Sequence, residues 1–441
     1  MSHSIGLCRS QLEQIFLNGA LNFLQDVLSR QLVESWASQA GHRWRSCLYS
    51  PLPTLLACIY KHMAHATSSR DVEDWVTARL PQDGACANSG DDFCVARRRL
   101  PEPVFSRALS HLGLFAQGNM SSRVWLVDGT GLTLPRSDAN VAAFGKMHGK
   151  ARLPGARLLL FTDADSGAVM NADIVGCDEG EMRQFLRRLP AVPKGTTIVG
   201  DRQFCSYLAL CEIDRLGLGA VMRLNVSRKP VGVEPLGEGD EIQLWRRPPV
   251  GSSAFGEQIK ELPEFCRVRV VRRRIERKGY RPVEIAVATN LLDAAPWPAE
   301  RIIELYARRW RIENDIRDIK LRHGLTMLSC KSENTVRKEV WSALLAYNSI
   351  KVMQRRTGKS PREMSHERSR AMIVEMAATM AHALTTCLPM LHASLLQRLA
   401  RASLRRQERP PCPRAIVRNT QADYPFLYRT RQQWYAHYLA A

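Results

Sequence analysis

Two short apolar runs, each closed by an aspartate, constrain this chain more than any other feature. The first, Val124–Val127, is followed by Asp128, Gly129, Thr130 and Gly131. The second, Thr197–Val199, is followed by Gly200 and Asp201. Runs this short, β-branched and bounded by glycine read as buried strands. An acid just past a buried strand stands at the sheet edge, where open α/β sheets bind ligands. Taken singly, either aspartate also suits a turn or a helix cap.

The surrounding pattern extends this to an α/β reading of residues 119 to about 224. After Asp128 comes a glycine-rich loop with Lys146, His148, Lys150 and Arg152. Segments 157–162 and 168–175 flank the turn Asp-Ala-Asp-Ser-Gly, a hairpin signal. Residues 179–189 carry Met182, Phe185, Leu186 and Leu189 at helical spacing. A strand at 196–200, a helix at 206–216 and a strand at 219–224 complete this half.

A second informative stretch runs from Tyr306 to Lys320, YARRWRIENDIRDIK. On one continuous helix, Tyr306, Arg309, Glu313 and Lys320 fall within an arc of roughly 60°. That face carries one carboxylate flanked by two cations and a phenol. Such a set suits a carboxylate that holds a metal beside a phosphate backbone, with the cations on phosphate oxygens. It also suits a solvated charged face. Trp310 lies about 100° off this face, and core packing is expected for it.

The order strand–Asp, strand–Asp, helix–Glu is that of ribonuclease-H-like nucleases. The segment from Tyr306 resembles the Y-x2-R-x3-E-x6-K signature of the DDE transposases of the insertion sequence 4 family, and every spacing matches. The Asp-Gly-Thr at Asp128 and the Gly-Asp-Arg-Gln-Phe at Asp201 resemble that family's aspartate motifs. TNLLDAAPWPAERIIELYARRWRIE and the later EVWSALLAYNSI do so too. The resemblance covers about 93–350. It implies a ribonuclease-H-like catalytic core at 119–225 and 291–355, interrupted by a β-rich insertion at 226–290. A helical, DNA end-binding region at 1–118 and a helical C-terminal region with a basic tail at 356–441 would flank it.

What the resemblance implies for chemistry is equally concrete. Asp128, Asp201 and Glu313 would be the catalytic, metal-holding acids, with Asp128 bridging two Mg²⁺ ions and Mn²⁺ able to substitute. Tyr306, Arg309 and Lys320 would grip phosphates near the scissile bond, with Arg202 a further DNA contact. The site would hydrolyse the strand at an element's end. The freed 3′-hydroxyl would then attack target DNA, or first the opposite strand to form a hairpin. Double-stranded DNA, as terminal repeats and target, would be the partner of a homodimer in the cytoplasm, on the bacterial nucleoid. No tryptophan occurs in 283–290, where an aromatic for a flipped base is sought. Two other readings remain open: a non-catalytic DNA-binding protein derived from a transposase, and a stand-alone nuclease.

Charge agrees with a polyanionic partner. Lys and Arg number 63 against 43 Asp and Glu, a formal net charge of +20. Arginine clusters at 97–99, 272–274, 308–311 and 405–409 suit phosphate, whose oxygens match the guanidinium fork. The alternating Arg-Val-Arg-Val-Val-Arg-Arg-Arg run from Arg267 reads as a half-buried strand whose basic face either tracks DNA or is merely solvated. No apolar stretch of about 18 residues occurs, so no membrane span is expected, and the first 30 residues do not resemble a signal peptide. The 12 cysteines form no CxxC pair, which argues against zinc and for core thiols. Cys205 has no evident histidine partner to make it a nucleophile.

The ends read as helical. Helices are expected at 11–32, 52–63, 93–100 and 103–112, and one from Ser69, with a loop at 81–92 and Arg97, Arg98 and Arg99 exposed. A long helix is expected at 333–353. The tail beyond Arg401 is Pro- and Arg-rich and lacks a core of its own.

Overall fold

A computed structural model describes residues 13, 17, 21, 24, 26–44, 48–64, 68–77, 91–118, 123–147, 152–225, 229–250, 255–275, 283–383 and 385–404. The expected basic tail, the loop at 81–90 and the loop cations His148 and Lys150 lie outside these residues.

The N-terminal part is helical: α1 (Arg30–Gln39), α2 (Pro51–Met63), α3 (Ser69–Thr77), α4 (Asp92–Arg99) and α5 (Glu102–Gln117). The stripe expected as one helix over 11–32 does not continue as one. Ser29 adopts an extended conformation and its side chain accepts the Leu32 N–H at 3.2 Å, so a new helix begins at Arg30. α3 begins at Ser69, as expected, and its cap is Ser68. Ser68 Oγ accepts the Asp71 N–H at 3.1 Å while Asp71 accepts the Ser68 N–H at 2.8 Å. Arg97 is also unlike the expectation. Only 7 % of it is exposed, and it donates to Cys330 Sγ at 3.6 Å, whereas Arg98 and Arg99 face solvent.

A nine-stranded mixed sheet forms the centre, in the order β3-β2-β1-β4-β5-β9-β8-β7-β6. Its first half comprises β1 (Val124–Thr133), β2 (Gly155–Asp163), β3 (Val169–Gly176), β4 (Thr197–Gly200) and β5 (Gly219–Arg223). β1, β2 and β3 are antiparallel neighbours, while β1, β4 and β5 run parallel. Apolar residues bury both faces of these strands, as Leu126, Val127, Ile198, Val199, Ala220 and Val221 show with no exposed surface. The connecting helices are α6 (Asp138–Phe144), α7 (Glu181–Arg188) and α8 (Tyr207–Arg215).

The second half adds β6 (Gly232–Gly237), β7 (Asp240–Arg246), a short α9 (Gly256–Lys260), β8 (Phe265–Ile275) and β9 (Val283–Thr289). These four strands are all antiparallel, and β9 pairs directly with β5, so they extend the sheet. Four arginines of strand β8 are paired with carboxylates of β6, β7 and a later helix. Arg267 pairs with Glu234, Arg272 with Glu241 and Arg273 with Glu300. Arg269 is fully buried, donating to Asp240 at 2.8 and 2.5 Å and to the Trp297 carbonyl at 2.7 Å.

Four helices follow the sheet: α10 (Ala299–Ala307), α11 (Trp310–Arg322), α12 (Glu333–Arg356) and α13 (His366–His382), with α14 (Leu388–Ala400) after them. α12 is buried around nearly its whole circumference and packs on α5 and α2. Several of its buried polar residues tie it to neighbouring elements. Asn348 accepts the Val169 N–H at 2.8 Å and donates to the carbonyls of Val169 and Leu109, which ties the helix to β3 and α5.

Candidate active site

The two aspartates meet because their strands are parallel and in register. β1 pairs with β4 at Val124↔Thr197, Trp125↔Ile198 and Leu126↔Val199. Two steps further along both chains stand Asp128 and Asp201, on neighbouring strands about 4.8 Å apart. The expectation that Asp128 ends its strand is corrected. β1 continues to Thr133 against β2, and Asp128 lies where the parallel pairing with β4 stops. Gly200 makes the exit of β4 possible. A Cβ there would lie 2.7 Å from Met222 Sδ and 2.9 Å from Val127 Cγ1.

Each aspartate spends one oxygen on its own turn. Asp128 Oδ1 accepts the Gly129 N–H at 2.9 Å, and Asp201 Oδ1 accepts the Arg202 N–H at 2.7 Å, capping a 3₁₀ turn at Arg202–Phe204. Burial pushes the Asp128 carboxyl above the ordinary carboxylate range. The Gly129 N–H and Arg309 pull it back, while Glu313 and Glu181 push it further up.

Glu313 and its flanking residues do not share one straight helix. α10 ends at Ala307 and α11 starts at Trp310. Between them the N–H groups of Arg308, Arg309, Arg311 and Ile312 bond three residues back, a tightened joint. The 100° counting that put Tyr306 on the face of Glu313 therefore fails, yet the groups still converge. Arg309 donates to Glu313 Oε1 at 2.8 Å. The Tyr306 phenol is pushed up mainly by burial, with Asp201 adding to the rise and Arg309 and Arg223 opposing it. Lys320 reaches β1, donating to Thr130 Oγ1 at 3.3 Å and to the Gly131 carbonyl at 3.0 Å.

The environments of these groups differ. Arg309 is 7 % exposed against 45 % for Glu313, and its buried Nε has no hydrogen-bond partner. Trp310, expected in the core, is instead 56 % exposed, with the Arg309 guanidinium 4.4 Å from its ring centroid. Arg202 is exposed beside Asp201.

Two residues of this neighbourhood were missed in the sequence. Glu181 opens α7 and pairs with Arg157 at 3.2 Å, and its carboxylate lies against Gly129, where a Cβ would be 2.7 Å from Oε1. Its position looks like that of an ordinary acid in a first helical turn. Arg223 is the last residue of β5. Only the strand register reveals it.

Hard carboxylate oxygens suit a divalent cation such as Mg²⁺. The second oxygens of Asp128 and Asp201 carry no protein hydrogen bond among the described residues, and a cation would offset the buried charge of Asp128. Among the described residues no group of three or more His, Cys, Asp or Glu is arranged to hold a metal ion. Glu313 is turned to Arg309. The donor chemistry fits, and the third ligand is engaged elsewhere.

Comparisons with known proteins identify the family. Residues 119–349 match the family described as Transposase DDE domain. The transposase InsG for insertion sequence element IS4 of Escherichia coli (strain K12) is 32% identical over 147 residues, 31% of this chain and 32% of that protein. The match thus spans about a third of that relative's length. The protein y4zB of Sinorhizobium fredii, also named as a transposase, is 24% identical over 59% of this chain and 70% of its own. A piggyBac transposase synaptic complex with hairpin DNA aligns over 86% of this chain and 85% of that one, with TM-score 0.42 and 10% identity, too distant to bear on fold or function. With just over half of its length inside the matched family and relatives of the insertion sequence 4 type, the chain belongs to the Transposase DDE domain family.

Proposed function

We propose that this chain is a DNA transposase that cleaves the ends of an insertion sequence and joins the freed 3′ ends to target DNA. The observation that carries this reading is the placement of Asp128 in β1 beside Asp201, the residue that follows the parallel strand β4, with Arg309 and Glu313 close to Asp128. Residues 119–225 and 291–355 would form the ribonuclease-H-like core.

Phosphodiester cleavage has a very slow uncatalysed reference, so the site must lower the barrier by about 20 kcal/mol. Asp128, Asp201 and Glu313 would hold the divalent ions, two in the active complex. When bound, such ions activate water or a 3′-hydroxyl and stabilise the leaving oxygen. Arg309, with a buried donor lacking a partner, takes a phosphate oxygen of the bound strand. That competes with Glu313 for the guanidinium and leaves the carboxylate free to turn toward the aspartates. Lys320 and Tyr306 line the same strand. The net charge of +20 gives the long-range attraction to DNA. No helix among the described residues is long and apolar enough to cross a membrane, in keeping with work in the cytoplasm on the nucleoid. Bringing two ends together calls for a homodimer on DNA.

The test is strand cleavage on a duplex carrying the DNA that flanks this gene, with Mg²⁺ or Mn²⁺. Asp128→Ala, Asp201→Ala and Glu313→Ala are each expected to lose at least a thousandfold in rate, about 4 kcal/mol of barrier, with end binding retained. Cleavage within tenfold of wild type by any one of them would remove that residue from the site. Specific binding with no cleavage by any protein, wild type included, would favour the non-catalytic reading.

A further inference from the structure

Two guanidiniums act on the buried Tyr306 phenol, those of Arg309 and Arg223, and only Arg309 lies in the signature spacing. We propose that Arg223 is a positioning residue that takes a phosphate of the bound DNA on the Asp201 side of the site. This rests on the assignment of Asp128, Asp201 and Glu313 as the catalytic acids.

The placement follows from strand register. β4 pairs with β5 through Gly200↔Met222, so one step on Arg223 stands beside Asp201. Where the parallel pairing of β1, β4 and β5 stops, the chain therefore presents Asp128, Asp201 and Arg223 in lateral order. That end of a parallel sheet is where ligands bind. The base of Arg223 is held on both sides. Its other neighbour is Val287 of β9, and the next N–H, of Leu224, bonds to the Ala286 carbonyl at 2.8 Å.

Charge points the same way. In β8 the structure supplies carboxylates for Arg267, Arg269, Arg272 and Arg273. Among the described residues Arg223 has no carboxylate at ion-pair distance, although Asp201 is its lateral neighbour. One oxygen of Asp201 is taken by the Arg202 N–H, and the other is left for a cation. Arg309, the other cation on Tyr306, has one side of its guanidinium on Glu313 and a buried Nε without a partner. Two guanidiniums around one phenol, each with open donors, fit phosphate oxygens, which forked donors meet bidentately. Arg223 would fix the strand over Asp201 while Arg309 fixes it near Glu313.

The experiment uses the full chain and a duplex carrying the DNA that flanks its own gene. It measures end binding against salt, and single-turnover cleavage with Mg²⁺. Arg223→Gln is expected to lower the log–log salt slope by about 0.9, one phosphate contact, and to slow cleavage tenfold or more. Arg223→Lys, which keeps the charge and loses the fork, is expected to restore the slope but cleave at least tenfold slower than wild type. A neutral methylphosphonate at the contacted position should weaken wild type and leave Arg223→Gln unaffected. A slope and rate within twofold of wild type in Arg223→Gln would overturn the proposal. If that variant does not fold, wild-type cleavage by Arg223→Lys overturns it, and tenfold slower cleavage with an unchanged slope supports it. Asp128→Ala separates the two layers. Cleavage by Asp128→Ala would remove the site assignment itself, whereas an inert Asp128→Ala beside a normal Arg223→Gln would remove only Arg223.

Discussion

Strand β8 and the candidate active site treat arginine in opposite ways. In the second half, β8 carries a run of arginines, and carboxylates of β6, β7 and α10 meet four of them. At the candidate site, Arg223 of β5 has no ion-pair partner among the described residues, and Arg309, between α10 and α11, has one together with an unsatisfied buried Nε. The longer basic run is thus the less available to DNA. A net charge of +20 measures attraction at a distance. Which cations remain for phosphate is decided by the residues opposite them across the sheet.

Three variants press on this contrast. The largest effect is expected for Arg269→Ala, which leaves Asp240 charged and buried without its partner. Breaking a buried pair in this way costs about 3–5 kcal/mol, read by chemical denaturation, with the salt slope of DNA binding unchanged. A smaller effect is expected for Arg267→Gln with Arg272→Gln. Both pairs are exposed, so each contributes about 1 kcal/mol or less. The salt slope should hold within experimental error; a fall of about two units would mean that these arginines leave their acids for DNA.

The smallest effect is a gain. Burial raises the Asp128 carboxyl above its ordinary value of 3.8 in the folded chain. Between that value and the raised one, the folded state binds more protons than the unfolded state, so stability declines as pH rises through this window. Asp128→Asn removes that decline. It should be more stable than wild type at neutral pH, with a flatter stability curve just above pH 3.8, in thermal melts across pH. An Asn variant less stable than wild type at neutral pH would show that the carboxylate is better paired than its burial suggests.

Much of the first half was legible in the sequence because strands buried on both faces announce themselves as continuous apolar runs. β1, β4 and the hairpin of β2 and β3 are of this kind. Asp128 and Asp201 were legible because each follows such a run. The joint at Arg308 and Arg309 was not legible, since every residue there tolerates a helix and only its hydrogen bonds reveal the tightening. Trp310 is exposed with the Arg309 guanidinium against its ring, whereas apolar character alone pointed to the core. Arg97 illustrates a similar limit. An arginine cluster on a short helix reads as surface, and its burial depends on Cys330, distant in sequence. Arg223 and Glu181 are tertiary facts, because their nearness to the aspartates comes from strand register and from a glycine that admits a carboxylate.

The lateral spacing of Asp128 and Asp201 is set by backbone hydrogen bonds between β1 and β4 rather than by side-chain packing. Such a spacing behaves like a ruler cut into the frame. Trimming a core side chain such as Leu345 or Ile350 lowers the fraction of molecules that are folded, yet leaves the separation of the acids in those that are. Erosion of the core by mutation would therefore show first as fewer working copies, each cutting at the ancestral rate, and the chemistry would fail only when the sheet itself gave way.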